Sequence, residues 1–164
     1  MNNLKTLFLI VCFASTIAQA QPASGNFSGL ENIVGMWKLT EPASEQEKNF
    51  RLNYHFISRD SALVEVYGDP ARQTTETIFH RDGEKLLGTH YCARGNQPRL
   101  KASKLVGNTI EFNFQDITNL KDKNDPHMVR MKYTFIDKDH FKKEEVYWMA
   151  GKEESSTMSL IRVN

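Results

Sequence analysis

From Gly35 onward the chain alternates apolar and polar residues with a period of two, and turn-forming residues break the alternation about every ten positions. Successive side chains of an extended chain point to opposite faces, so each alternating run is a strand with one face for a core. Phe50, Leu52, Tyr54 and Phe56 share one such face, Ile110, Phe112 and Phe114 another, and Val129, Met131, Tyr133 and Phe135 a third. The pattern predicts strands over roughly 35–40, 49–58, 62–67, 74–80, 85–93, 98–105, 109–117, 128–136, 140–149 and 155–163. Ser28 is placed to cap a short helix over 29–33, just before the first strand. About ten strands in an open sheet would leave two edges free to pair with other chains. The expected fold is therefore all-β, an up-and-down antiparallel β-barrel with a short N-terminal helix.

The connections fall into two sets. Residues 58–61, 81–84, 106–108 and 137–139 carry the Gly, Asn, Asp and Ser chemistry of tight turns. Interleaved with them, residues 41–48, 68–73, 94–97 and 118–127 are mostly longer and richer in charge. Alternate connections of a meander lie at the same end. The expected shape is thus a barrel with a closed base of tight turns and a decorated mouth.

Residues 1–20 read as a secretory signal peptide. Lys5 supplies the positive start, residues 7–14 are almost wholly apolar, and Ala18-Gln19-Ala20 forms a small-x-small cleavage site. The apolar run is shorter than the ~20 residues a spanning helix needs, and no later segment is long and apolar enough to anchor the chain. Val11 before Cys12 does not fit a lipoprotein acylation site. The expectation is export, to the periplasm of a bacterium, with residues 21–164 as one domain. Lys and Arg number 21 against 20 Asp and Glu, a balance that argues against nucleic acid or an anionic membrane surface as partner. Cys12 leaves with the signal peptide. Cys92 then has no intramolecular partner, and its commonest role is a small buried hydrophobe.

Gly35-Met36-Trp37, a Gly-x-Trp at the start of the first strand, resembles the lipocalin/calycin signature. In that family the tryptophan sits at the closed base and a basic residue of the last strand packs across it, which here would be Arg162. The set His90-Tyr91-Cys92, Gly95-Asn96-Gln97-Pro98-Arg99, Asp116 to Leu120 and His127-Met128 is similar to that of a group of secreted bacterial lipocalin-like proteins. This resemblance spans most of residues 30–163 and implies a fold and a location but no activity. Lys38-Leu39-Thr40 lacks the further glycines of haem-binding nitrobindin-type barrels, so no cofactor is expected.

The candidate site is the mouth. His90 and Cys92, two apart, share one strand face, and Gln97 and Arg99 open the next strand. Asp116 is in phase with Ile110, Phe112 and Phe114, and His127 with Val129, Met131 and Tyr133, so both are expected to point inward. Inward polar groups at an apolar rim are hydrogen-bonded or used. His90, Cys92, Gln97, Arg99, Asp116 and His127 would then hold the head group of a small apolar or amphipathic ligand. A rim network, with Arg99 pairing Asp116, is the structural alternative. Two chemical alternatives are metal binding by His90, Cys92, His127 and Asp116, and a Cys92 nucleophile with His90 or His127 as base. A barrel with a fully packed interior, serving a structural or partner-binding role, is the third class.

Overall fold

The structure, a computed structural model, describes residues 27–72 and 74–163. The expected signal peptide at 1–20 lies outside the described residues. The chain folds into a closed antiparallel barrel of ten strands: β1 (Gly35–Leu39), β2 (Arg51–Ile57), β3 (Ala62–Gly68), β4 (Thr75–Asp82), β5 (Lys85–Tyr91), β6 (Gln97–Ala102), β7 (Thr109–Thr118), β8 (His127–Phe135), β9 (His140–Met149) and β10 (Lys152–Arg162). Each strand pairs with its sequence neighbours, and β1 closes the ring against β10. The only helical pieces among the described residues are a 3-10 turn at Leu30–Ile33 and one turn, α1 (Glu45–Lys48), inside the β1–β2 connection. Ser44 caps α1 by accepting from the Glu47 amide. No helix among the described residues is long and apolar enough to cross a membrane.

The base is shut by Trp37, which is fully buried. Its indole N–H donates to the Ile33 carbonyl at 2.7 Å, fixing the 3-10 turn across the barrel floor. Arg162 faces Trp37 in the ladder, and its guanidinium carbon lies 4.2 Å from the indole centroid. The same guanidinium donates to the carbonyls of Val34, Asn32 and Lys138 at 2.8–3.0 Å. Gly35 is the residue this arrangement needs. Its φ of +121° disfavours any side chain, and a Cβ there would stand 2.9 Å from Arg162 Nη1.

Above the base the lumen is filled. Phe141 meets Trp37 edge-on at 4.7 Å, and Phe79, Phe112, Tyr54 and Tyr133 interlock at 5.2–6.4 Å. Gly88 makes room for one of these rings, since a Cβ would sit 3.0 Å from Phe79 Cε1. The mouth is open, and there the tight β9–β10 turn at Ala150-Gly151, with φ of +50° and +86°, joins the longer loops.

Trp37→Leu and Arg162→Ala should be non-additive. Each alone removes one side of a cation–π contact worth ~0.5–2 kcal/mol, and the double variant should lose less than the sum of the two. Denaturant melts of all four proteins measure this, and strict additivity would show that the two side chains act independently.

Candidate functional site

A cleft of about 350 Å³ opens at the mouth, lined by Tyr67, Thr75, His90, Cys92, Ala93, Arg94, Glu145, Tyr147, Met149 and Ser156. Beneath it lies a buried polar network whose node is Glu65. Glu65 follows Leu63 and precedes Tyr67 on the inward face of β3, and Lys143 and Glu145 follow Phe141 on the inward face of β9. Glu65 Oε1 accepts from Lys143 Nζ at 2.6 Å and from Thr77 at 3.3 Å. Its Oε2 accepts from the hydroxyls of Tyr54 at 2.5 Å and Tyr133 at 2.8 Å. Those four donors match the four lone-pair sites of a carboxylate. Lys143, fully buried, also reaches Glu145 Oε1 at 2.7 Å, and its ammonium lies 5.2 Å from the Tyr67 ring centroid.

Charge states follow from these contacts. Burial pushes the Glu65 carboxyl up, but the Lys143 charge and the hydrogen bonds from Lys143, Tyr54 and Tyr133 outweigh it and hold the group below its ordinary value. Burial likewise opposes the Lys143 ammonium, while Glu145 and Glu65 more than compensate and raise it. Burial, with the negative charge of Glu145 adding to it, raises the Tyr67 phenol to about 12 and pushes Tyr147 up as well. Both rings are neutral donors at neutral pH.

His90 links this network to the cleft. It points inward and is 3% exposed. Its Nδ1 lies 3.0 Å from the Thr77 hydroxyl and its Nε2 3.3 Å from the Tyr147 hydroxyl. Because Thr77 donates to Glu65, the consistent assignment runs Tyr147 O–H to Nε2, Nδ1–H to Thr77 and Thr77 O–H to Glu65. Burial, reinforced by the Lys143 charge, lowers the imidazole to about 4, against a weaker opposing pull from Glu65. Cys92, a free and half-buried thiol, lines the same cleft.

The other four expected site residues lie elsewhere. Asp116 does not point inward. Gln115 is an extra residue between the Leu100–Phe114 and Arg99–Asp116 pairs, and this β-bulge reverses the phase of the strand. Asp116 therefore joins Arg99 in a bidentate pair with both side chains more than 40% exposed. Each partner favours the other's charged form, chiefly through the hydrogen bonds between them. A second bulge, at Val129 between Met128 and Arg130, does the same in β8. His127 consequently shares the face of Trp148, not that of Met131 and Tyr133, and is covered by Phe114 at 5.5 Å and held by the Asp125 carbonyl at 2.7 Å. Gln97 binds Gly95 and Thr118 around the β5–β6 turn. Of the six expected residues, only His90 and Cys92 line the cleft.

Glu65, Tyr67, Lys143, Glu145 and Tyr147 were not among the expected site residues, although the signal was present. A charged residue in the inward phase of an otherwise apolar strand face, with its opposite charge on another such face, marks an ion pair inside a barrel. Among the described residues, no group of three or more His, Cys, Asp and Glu side chains is arranged to hold a metal ion. Comparison of the sequence with protein-family models and with curated proteins finds no match.

Two outcomes follow. Lys143→Met leaves Glu65 and Glu145 without their cation in a desolvated site and should destabilise the barrel by ~3–5 kcal/mol. Adding Glu65→Gln should restore a measurable part of that loss in denaturant melts. The second concerns pH. A histidine with its folded value near 4 and its unfolded value near 6.5 binds fewer protons when folded across that interval. Its contribution is complete above pH 6.5 and is lost as pH falls through 4, amounting to about 3 kcal/mol. His90→Gln should flatten the stability profile between those pH values, and an unchanged slope would mean the imidazole titrates normally.

Proposed function

We propose that the protein is an exported, lipocalin-like barrel that binds a small amphipathic molecule at its mouth. The observation that carries this reading is the cleft itself: an opening of about 350 Å³ with Tyr67, Met149 and Ala93 as apolar wall and with His90, Glu145 and Tyr147 as polar groups at its floor. Ligand sites combine an apolar lining with a few placed polar groups in this way. The filled lumen below limits the guest to the mouth, so it is small rather than a long-chain lipid. Export rests on residues 1–20, and the lipocalin-like assignment on Gly35-Met36-Trp37 with Arg162, joined now by the ten-stranded ring.

A thiol-dependent enzyme is the second reading, favoured by Cys92 beside His90 in one cleft. It is the weaker one, because both ring nitrogens of His90 already hold hydroxyl partners and none is left to take the thiol proton.

Native mass spectrometry of the protein recovered from the exported fraction tests both parts of the proposal. The expected result is a chain shortened by the signal peptide that carries a bound organic mass. Ser156→Trp, which fills the cleft from β10, should remove that mass, while Arg99→Ala on the outer wall should retain it. An unliganded mass, together with failure to bind added amphiphiles, would sink the binding reading. Retention of residues 1–20 would sink export.

A further inference from the structure

The charges under the cleft do not balance. Glu65 and Glu145 share the single ammonium of Lys143, and the four tyrosines around them are neutral phenols. His90 is held neutral as well. The desolvated floor therefore carries one net negative charge. Glu65 has all its acceptor sites filled from within the protein, whereas among the described residues Glu145 receives only Lys143, on one oxygen, and is also a wall of the cleft. Glu145 is 5% exposed, so water solvates its charge poorly. The rings of Tyr67 and Tyr147 line the same cleft, and aromatic faces attract cations, as Tyr67 already does with Lys143, 5.2 Å from its centroid. The positive side chain of the lining, Arg94, is exposed on the β5–β6 turn, where solvent and salt screen it.

We propose that the cleft selects a small organic cation, a primary amine on an apolar body, with Glu145 as its counter-ion and Tyr67 and Tyr147 as its flanking rings. This rests on the mouth being a binding site and adds the chemical class of the guest. An ammonium has three donors and needs acceptors. It would complete the coordination of Glu145 and neutralise the floor, whereas a carboxylate in the same place would add a second uncompensated charge.

Three probes of similar shape separate these cases: phenethylamine, 2-phenylethanol and 3-phenylpropanoate, each titrated calorimetrically into the full mature protein at pH 7. The amine should bind at least about tenfold more tightly than the alcohol, with the carboxylate weakest. In Glu145→Gln the amine should fall to the level of the alcohol, whose own affinity stays unchanged. Lys143 retains Glu65 in that variant, so the barrel keeps its central pair. If the variant nevertheless fails to fold, the rank order in the wild-type protein decides. Equal affinities, or a preference for the carboxylate, would overturn the cation assignment while leaving the cleft a binding site. Binding of none of the three would overturn the cation assignment as well, and the native mass measurement then decides separately whether the mouth binds anything.

Discussion

A lysine ammonium inside a ten-stranded barrel must be held from more than one side, and the way Lys143 is held organises the lumen. Its first partner, Glu65, lies on β3, separated from β9 by several strands in either direction around the ring. The pair is thus a strut across the interior, not a link between neighbours. Tyr54 from β2, Thr77 from β4 and Tyr133 from β8 converge on the same carboxylate. One acidic side chain therefore fixes the relative positions of five strands. An apolar core of equal volume could be as stable or more so. What the ionic node adds is direction: donors from four strands converge on one carboxylate of a fifth, which sets the relative heights of those five strands.

The node also divides the interior into two chemical zones. Toward the base the aromatic rings pack edge-on or tilted against one another as a core. Toward the mouth the inward side chains become Lys143, Glu145 and Tyr147 along β9 and His90 on β5. The exposed Arg99–Asp116 pair on the outer wall belongs to neither zone. It stands in water, where such pairs contribute little.

The period of two was enough to read the architecture from the sequence, because alternation in nearly every strand reflects one buried face and one solvated face. The base was legible for a different reason: Gly35-Met36-Trp37 carries a resemblance that pairs a first-strand tryptophan with a last-strand basic residue, and strand parity brings Trp37 and Arg162 to one end. The mouth was read less well, for two physical reasons. Bulges at Gln115 and Val129 each insert one residue, and a single insertion reverses the facing of everything beyond it. Nothing in the local composition of either strand announces them, so Asp116 and His127 were extrapolated to the wrong face. The buried ion pair was missed for a different reason. Glu65 and Lys143 are 78 positions apart, and charged residues in strands are usually solvated, so neither stands out until the two inward faces are superposed. His90 shows the intermediate case: Leu86 and Leu87 put apolar residues on both faces of its strand, and the ladder to Thr77 settles which face it shares.

β1 is the shortest strand of the ring. It meets β10 only from Trp37 to Leu39, and β2 only from Gly35 to Trp37. Above that point, among the described residues, the upper half of β10 has β9 on one side and no strand on the other, and its exposed Lys152, Glu153 and Glu154 discourage another chain from adding there. The wall is therefore paired at the bottom and unpaired at the top along one seam, beside the segment that carries α1. Local opening is cheapest where the fewest ladder bonds must break. The seam is therefore where the wall of the barrel opens at least cost, above the floor that Trp37 closes.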